Sequence, residues 1–107
     1  MELHHYTDKR GYDRIRATVV WCFRAGQPVP RDHPFGAYFT TMPPGTKNLA
    51  LRIRVPNNKI THLFSFLDAG DLTPIRGGRG EYVFYSPKDY LVVEERQTFV
   101  GERGETA

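Results

Sequence analysis

Cysteine is almost missing from this 107-residue chain, where Cys22 stands alone. One thiol can neither build a disulfide framework nor seed a cysteine metal cluster, so a reducing, cytosolic setting is expected. Long apolar runs are missing too. Nothing approaches the roughly 20 consecutive apolar residues that span a bilayer. The opening Met1-Glu2-Leu3-His4-His5-Tyr6-Thr7-Asp8-Lys9-Arg10 has no apolar centre of the signal-peptide kind. A cytoplasmic protein with no membrane partner is the expectation. Dense blocks of Lys and Arg, internal repeats and low-complexity segments are also lacking. The net charge of +3 therefore gives only a slight tilt toward nucleic acid or an anionic small molecule.

What the chain does have is aromatic mass. Seven Phe, six Tyr and one Trp make up 13% of the residues, and 39% are hydrophobic, which supports a packed core and argues against disorder. The length suits one domain, residues 1–107, with a single modest core. Residues 3–6 read as a first strand. Thr7 or Asp8 then caps a short amphipathic helix over residues 9–18, with Tyr12 and Ile15 inward and Gly11 as an unfavourable interior residue. Residues 19–23, Val-Val-Trp-Cys-Phe, are the most apolar run and predict a buried strand or helix end. Pro28, Pro30 and Pro34 make residues 25–34 a loop. Leu49, Leu51, Ile53 and Val55 alternate with Ala50, Arg52 and Arg54, which predicts a half-buried strand over residues 49–55 and a solvated face for both arginines. Further strands are expected over residues 60–67, 81–85, 90–93 and 96–100, with a loop over 68–80. Six or seven strands, one helix and long loops make an α+β fold. Its strands should be mostly antiparallel, since no strand–helix rhythm demands a parallel sheet.

Three short pieces place chemically useful side chains on strands flanked by aromatics. They are Leu3-His4-His5-Tyr6-Thr7, Phe35-Gly36-Ala37-Tyr38-Phe39-Thr40-Thr41 and Gly80-Glu81-Tyr82-Val83-Phe84-Tyr85. Gly36 allows close approach of the backbone to a bulky neighbour, and the residues after it favour a strand. His4 and His5 should point to opposite faces of theirs, so one of them is solvent-facing or packed. No metal site is expected, because Cys22, His33 and His62 offer no ligand spacing. Gly77-Gly78-Arg79-Gly80 precedes a strand and not a helix, so it is a flexible loop and no nucleotide-binding glycine motif. Ser86 has no adjacent base to make it a nucleophile.

In this order the three pieces resemble the ADP-ribosyltransferase fold of the diphtheria-toxin and poly(ADP-ribose) polymerase type. Gly80-Glu81-Tyr82-Val83-Phe84-Tyr85 is similar to that family's Asn-Glu-Tyr-Ile-Val-Tyr context. Gly36-Ala37-Tyr38-Phe39 is similar to its Gly-Ile-Tyr-Phe, and Leu3-His4-His5 to its Leu-Trp-His. His5-Tyr6-Thr7-Asp8 looks closer still to the small class of bacterial toxin domains with a His-Tyr-Asp signature. The resemblance departs from the pattern in two places: residues 46–51, where many relatives carry a second tyrosine, hold no aromatic, and the class signature names Asp as its third member where Glu81 has the matching context.

The resemblance implies two small, mostly antiparallel sheets with few helices and NAD as substrate. It implies catalytic roles for His5, Tyr38 and Glu81, with His5, Tyr6, Thr7 and Tyr38 holding the dinucleotide. Tyr6 could replace the missing second ring, and Asp89 competes with Glu81 for the carboxylate role. The activity implied is mono-ADP-ribosyl transfer to a macromolecular acceptor, protein or nucleic acid, with release of nicotinamide. A toxin or effector acting in a target cell's cytoplasm, with a cognate immunity protein, would fit. The alternatives are an NAD glycohydrolase and a non-catalytic module that binds a nucleotide or nucleic acid.

Overall fold

Alternation along one strand divides the molecule. The computed structural model describes residues 1–26, 34–75 and 82–106, with residues 105 and 106 described by backbone alone. Strand β1 (Glu2–Thr7) lies in the middle of a sheet, paired with β3 (Ala37–Thr40) on one side and β4 (His62–Leu67) on the other. The sheet is completed by β5 (Thr73–Pro74), β6 (Val83–Ser86) and β8 (Gln97–Glu102), in the order β5-β6-β3-β1-β4-β8. A second sheet pairs β2 (Trp21–Phe23) with β7 (Tyr90–Val92). Every strand pairing among the described residues is antiparallel.

One face of the six-stranded sheet carries the main core. Leu3, Phe39, Phe64 and Phe66 point there and are buried with Ile15, Trp21, Phe23, Tyr90 and Val92. Helix α1 (Lys9–Arg16) and the two-stranded sheet supply the cover. Phe23 is the hub, edge-on to Phe39 at 5.2 Å and to Phe64 at 5.6 Å, the arrangement favoured by the ring quadrupoles. The other face bears His4, Tyr6, Thr40 and Ser65, and a smaller core of Met42, Leu49, Ala50 and Ile60 covers part of it. With both faces of β4 covered, Leu63 is as fully buried as Phe64 and Phe66.

Helix α1 starts at the expected cap. The Asp8 carboxylate accepts from the Gly11 N–H at 2.9 Å, and Ile15 is buried. Gly11 follows from how the helix leaves β1: a Cβ there would fall on the Thr7 hydroxyl. The predicted strand over residues 49–55 is corrected, because Leu49–Ile53 form a short helix, α2. Leu49, Ala50 and Ile53 share its inner face, while Leu51, which a strand would have buried, is 67% exposed. Asn48 and Arg54 bound it in left-handed conformations, φ 56 and φ 61. Past the second of these, the Val55 N–H reaches back to the Ala50 carbonyl, a helix-ending pattern.

Three smaller corrections complete the comparison. Val19 and Val20 are exposed, so the apolar run contributes only Trp21–Phe23 to a strand. The expected loop over 68–80 contains β5. Among the described residues β6 opens at Val83, later than the expected residue 81. The described chain is an α+β domain of two antiparallel sheets and two helices. No helix among the described residues is long and apolar enough to cross a membrane.

Candidate functional site

Where the smaller core ends, the second face of the sheet opens into a cleft of about 410 Å³, within the range usual for small-molecule sites, about 300–1,000 Å³. β1 and β3 form its floor, with His4, His5, Tyr6, Tyr38 and Thr40. Ile53, Arg54, Val55, Pro56 and Lys59, at and after the end of α2, form one wall, and Val83 of β6 borders the other side. A larger hollow of about 690 Å³ lies around Asn57, Thr61, His62 and Arg103. It is more open and holds none of the residues to which the resemblance gives a role.

Tyr6 and Tyr38 give the cleft its aromatic floor. The Tyr6 hydroxyl donates to the Met42 carbonyl at 2.7 Å, and burial raises its pKa well above the usual phenol range, so it stays protonated. Tyr38 stacks on Tyr85 across the β3–β6 pair, with centroids 5.9 Å apart, and donates its hydroxyl to the Pro34 carbonyl. Burial, helped by the neighbouring Tyr85 phenol, pushes its pKa up to about 12. Both rings can present faces, with their hydroxyl protons committed to carbonyls. Gly36 explains why β3 can lie so close to β6. A Cβ there would come within 2.5 Å of the Ser86 carbonyl oxygen.

The two histidines leave β1 on opposite faces, as alternation requires. His4 is buried, with Nδ1 2.7 Å from the Ser65 hydroxyl. The His5 ring packs on the main-core side, 4.7 Å from Phe23 and 5.7 Å from Phe39. Its Nδ1 lies 3.0 Å from the Tyr38 carbonyl. A carbonyl can only accept, so Nδ1 carries the proton and Nε2 keeps its lone pair. Burial lowers the His5 pKa, the Tyr38 bond opposes it, and Arg14 adds to the lowering, so the neutral ring is favoured. The β1–β3 ladder is short, with His4 opposite Thr40, and the His5 side chain extends it.

The remaining candidates divide. Thr7 does not line the cleft, and its hydroxyl lies over Gly11. The Asp89 carboxylate, exposed and outside the cleft lining, accepts from the Ala25 N–H at 2.8 Å. Glu81 lies outside the described residues, as do His33 and Gly77-Gly78-Arg79-Gly80. Tyr82, the residue after Glu81, has its carbonyl bonded by the Thr40 hydroxyl at 2.6 Å and the Thr41 N–H at 3.2 Å. Among the described residues no group of three or more His, Cys, Asp and Glu could hold a metal ion.

Sequence reasoning missed the basic wall. Arg54 lines the cleft from its left-handed position at the end of α2. Lys59 lines it too, with Nζ 2.6 Å from an Asp8 carboxylate oxygen. A signal was available in the charge pattern: residues 34–67 contain no Asp or Glu but do contain Lys47, Arg52, Arg54 and Lys59. The strand reading of residues 49–55 hid it by assigning Arg54 to open solvent. Compared with protein-family models, curated proteins and solved structures, the chain matches none.

Proposed function

We propose that the chain is an NAD-dependent mono-ADP-ribosyltransferase that passes ADP-ribose to a macromolecular acceptor and releases nicotinamide. The observation that carries this reading is that Tyr6 and Tyr38, from two strands far apart in sequence, border one cleft together with His5, the neighbour of Tyr6 on β1. Val83, two residues beyond Glu81, borders it as well. Nicotinamide lies against Tyr38 and Tyr6, whose ring faces suit a flat cationic heterocycle. Tyr6 thereby supplies the second ring that residues 46–51 do not. His5, its ring on the opposite face of β1, braces Tyr38 through the Nδ1 bond to the Tyr38 carbonyl.

In the reaction the bond between ribose C1′ and the nicotinamide nitrogen breaks, and its electron pair leaves with nicotinamide. The Glu81 carboxylate stabilises the positive charge that builds on the sugar. It also takes the proton of the incoming nucleophile as that group bonds to C1′. The acceptor is protein or nucleic acid, and water in its place would make the chain an NAD glycohydrolase. Action as a toxin or effector in a target cell, held in check by an immunity protein, belongs to the same reading.

One observation favours a second reading. The His5 ring leaves β1 on the face opposite Tyr6 and Tyr38, an arrangement that a non-catalytic nucleotide-binding module would tolerate. The test is to incubate the protein with NAD, with and without cell lysate, and to follow nicotinamide release and adduct mass. Turnover is expected, falling roughly a hundredfold or more in Glu81→Ala, with weaker NAD binding in His5→Ala. NAD binding without any turnover would favour the module. Unchanged turnover in Glu81→Ala would move the carboxylate role to Asp89.

A further inference from the structure

The cleft is large enough for the nicotinamide and its ribose, and the rest of a dinucleotide must pass over its rim. Along that rim the side chains change character. Ile53, Val55 and Pro56 are apolar, but Arg54 and Lys59, from the same wall, are cations. Both residues are exposed, and they belong to a stretch of 34 residues, 34–67, without one carboxylate. Among the described residues one anion from elsewhere in the chain meets the wall: Asp8, which caps α1, pairs with Lys59. Arg54 is fixed by backbone geometry, since its N–H closes on the Leu51 carbonyl in the left-handed turn that ends α2.

We propose that Arg54 and Lys59 form the phosphate subsite of this cleft, binding the pyrophosphate of the dinucleotide whose nicotinamide lies on Tyr6 and Tyr38. The inference rests on the NAD reading above and adds the residues that distinguish a dinucleotide from a nucleoside. A guanidinium can grip two phosphate oxygens at once, while the flexible lysine acts as a point charge. The 2.6 Å pair with Asp8 already restrains the lysine, so less side-chain freedom remains to be lost when phosphate binds. Lys47 lies on the same acid-free stretch but does not line the cleft, and it serves as the control for removing a positive charge away from the site.

The test is calorimetric titration of wild type, Arg54→Gln/Lys59→Gln and Lys47→Gln with NAD, nicotinamide riboside and a single-stranded RNA decamer. Thermal unfolding of each variant checks that the fold is kept, and the single substitutions Lys59→Gln and Arg54→Gln stand in if the double variant unfolds. The proposal expects NAD to bind the double variant roughly 10- to 100-fold more weakly, the loss of one or two charge-assisted hydrogen bonds. Nicotinamide riboside, which has no phosphate, should bind all three proteins alike, and Lys47→Gln should bind NAD as wild type does. Equal NAD affinity in wild type and double variant would overturn the phosphate subsite and leave the NAD reading standing. Wild type that binds neither NAD nor the riboside would overturn both. Weaker RNA binding in the double variant with NAD affinity unchanged would reassign the wall to nucleic acid.

Discussion

His4 and His5 sit side by side on β1, in contact with different neighbours, yet burial pushes both pKa values down from the ordinary 6.5. Glu2 opposes the shift at His4, and the Tyr38 carbonyl opposes it at His5. A histidine held neutral in the native state binds a proton more readily once unfolded. The unfolded chain therefore carries more protons as pH falls below about 6.5, and stability declines on the acid side. The contribution is complete above that pH and is lost as pH falls toward the lowered native values. Each group can add at most about 1.4 kcal/mol per pH unit to this slope. Melting temperatures measured between pH 7.5 and 5 should fall with acid, and His4→Asn or His5→Asn should make the fall shallower. A profile that both variants leave unchanged would show that other groups control acid stability.

The joint between β1 and α1 makes a prediction at the scale of elements. Glycine inside an exposed helix costs about 1 kcal/mol against alanine, so Gly11→Ala would ordinarily be stabilising. Here the added methyl would meet the Thr7 hydroxyl. Gly11→Ala should therefore destabilise the protein alone and recover in the Thr7→Ala background. The coupling should be about 1 kcal/mol or more in a double-mutant cycle read by urea unfolding. Additive effects would mean that the helix does not seat on β1 in this way. This joint was half legible in the sequence, where Asp8 and the period of Tyr12 and Ile15 marked the helix but the reason for Gly11 lay in a tertiary contact. Helix α2 was illegible. Over five residues, inner positions 49, 50 and 53 of a helix and 49, 51 and 53 of a strand share both ends. Only the cover given by Met42 and Ile60 decides between them.

At the scale of the whole molecule, the antiparallel α+β plan was readable because alternation and turn residues repeat along most of the chain. The pairing order was not readable: β1 lies between β3 and β4, a matter of long-range packing that no local pattern carries. The candidate site was legible in the aromatic residues of two strands, Tyr6 and Tyr38. Its basic wall was hidden, since the strand reading of residues 49–55 sent Arg54 to solvent, and the pairing of Lys59 with Asp8, far away in sequence, is a tertiary contact. The central claim is that one cleft on the second face of the sheet receives NAD. Titrating isotope-labelled protein with NAD and following backbone amide resonances tests it most directly. The account predicts shifts that saturate together at Tyr6, Tyr38, Thr40, Arg54 and Lys59. Shifts confined to the open hollow around Asn57, His62 and Arg103, or no shifts at any NAD concentration, would contradict it.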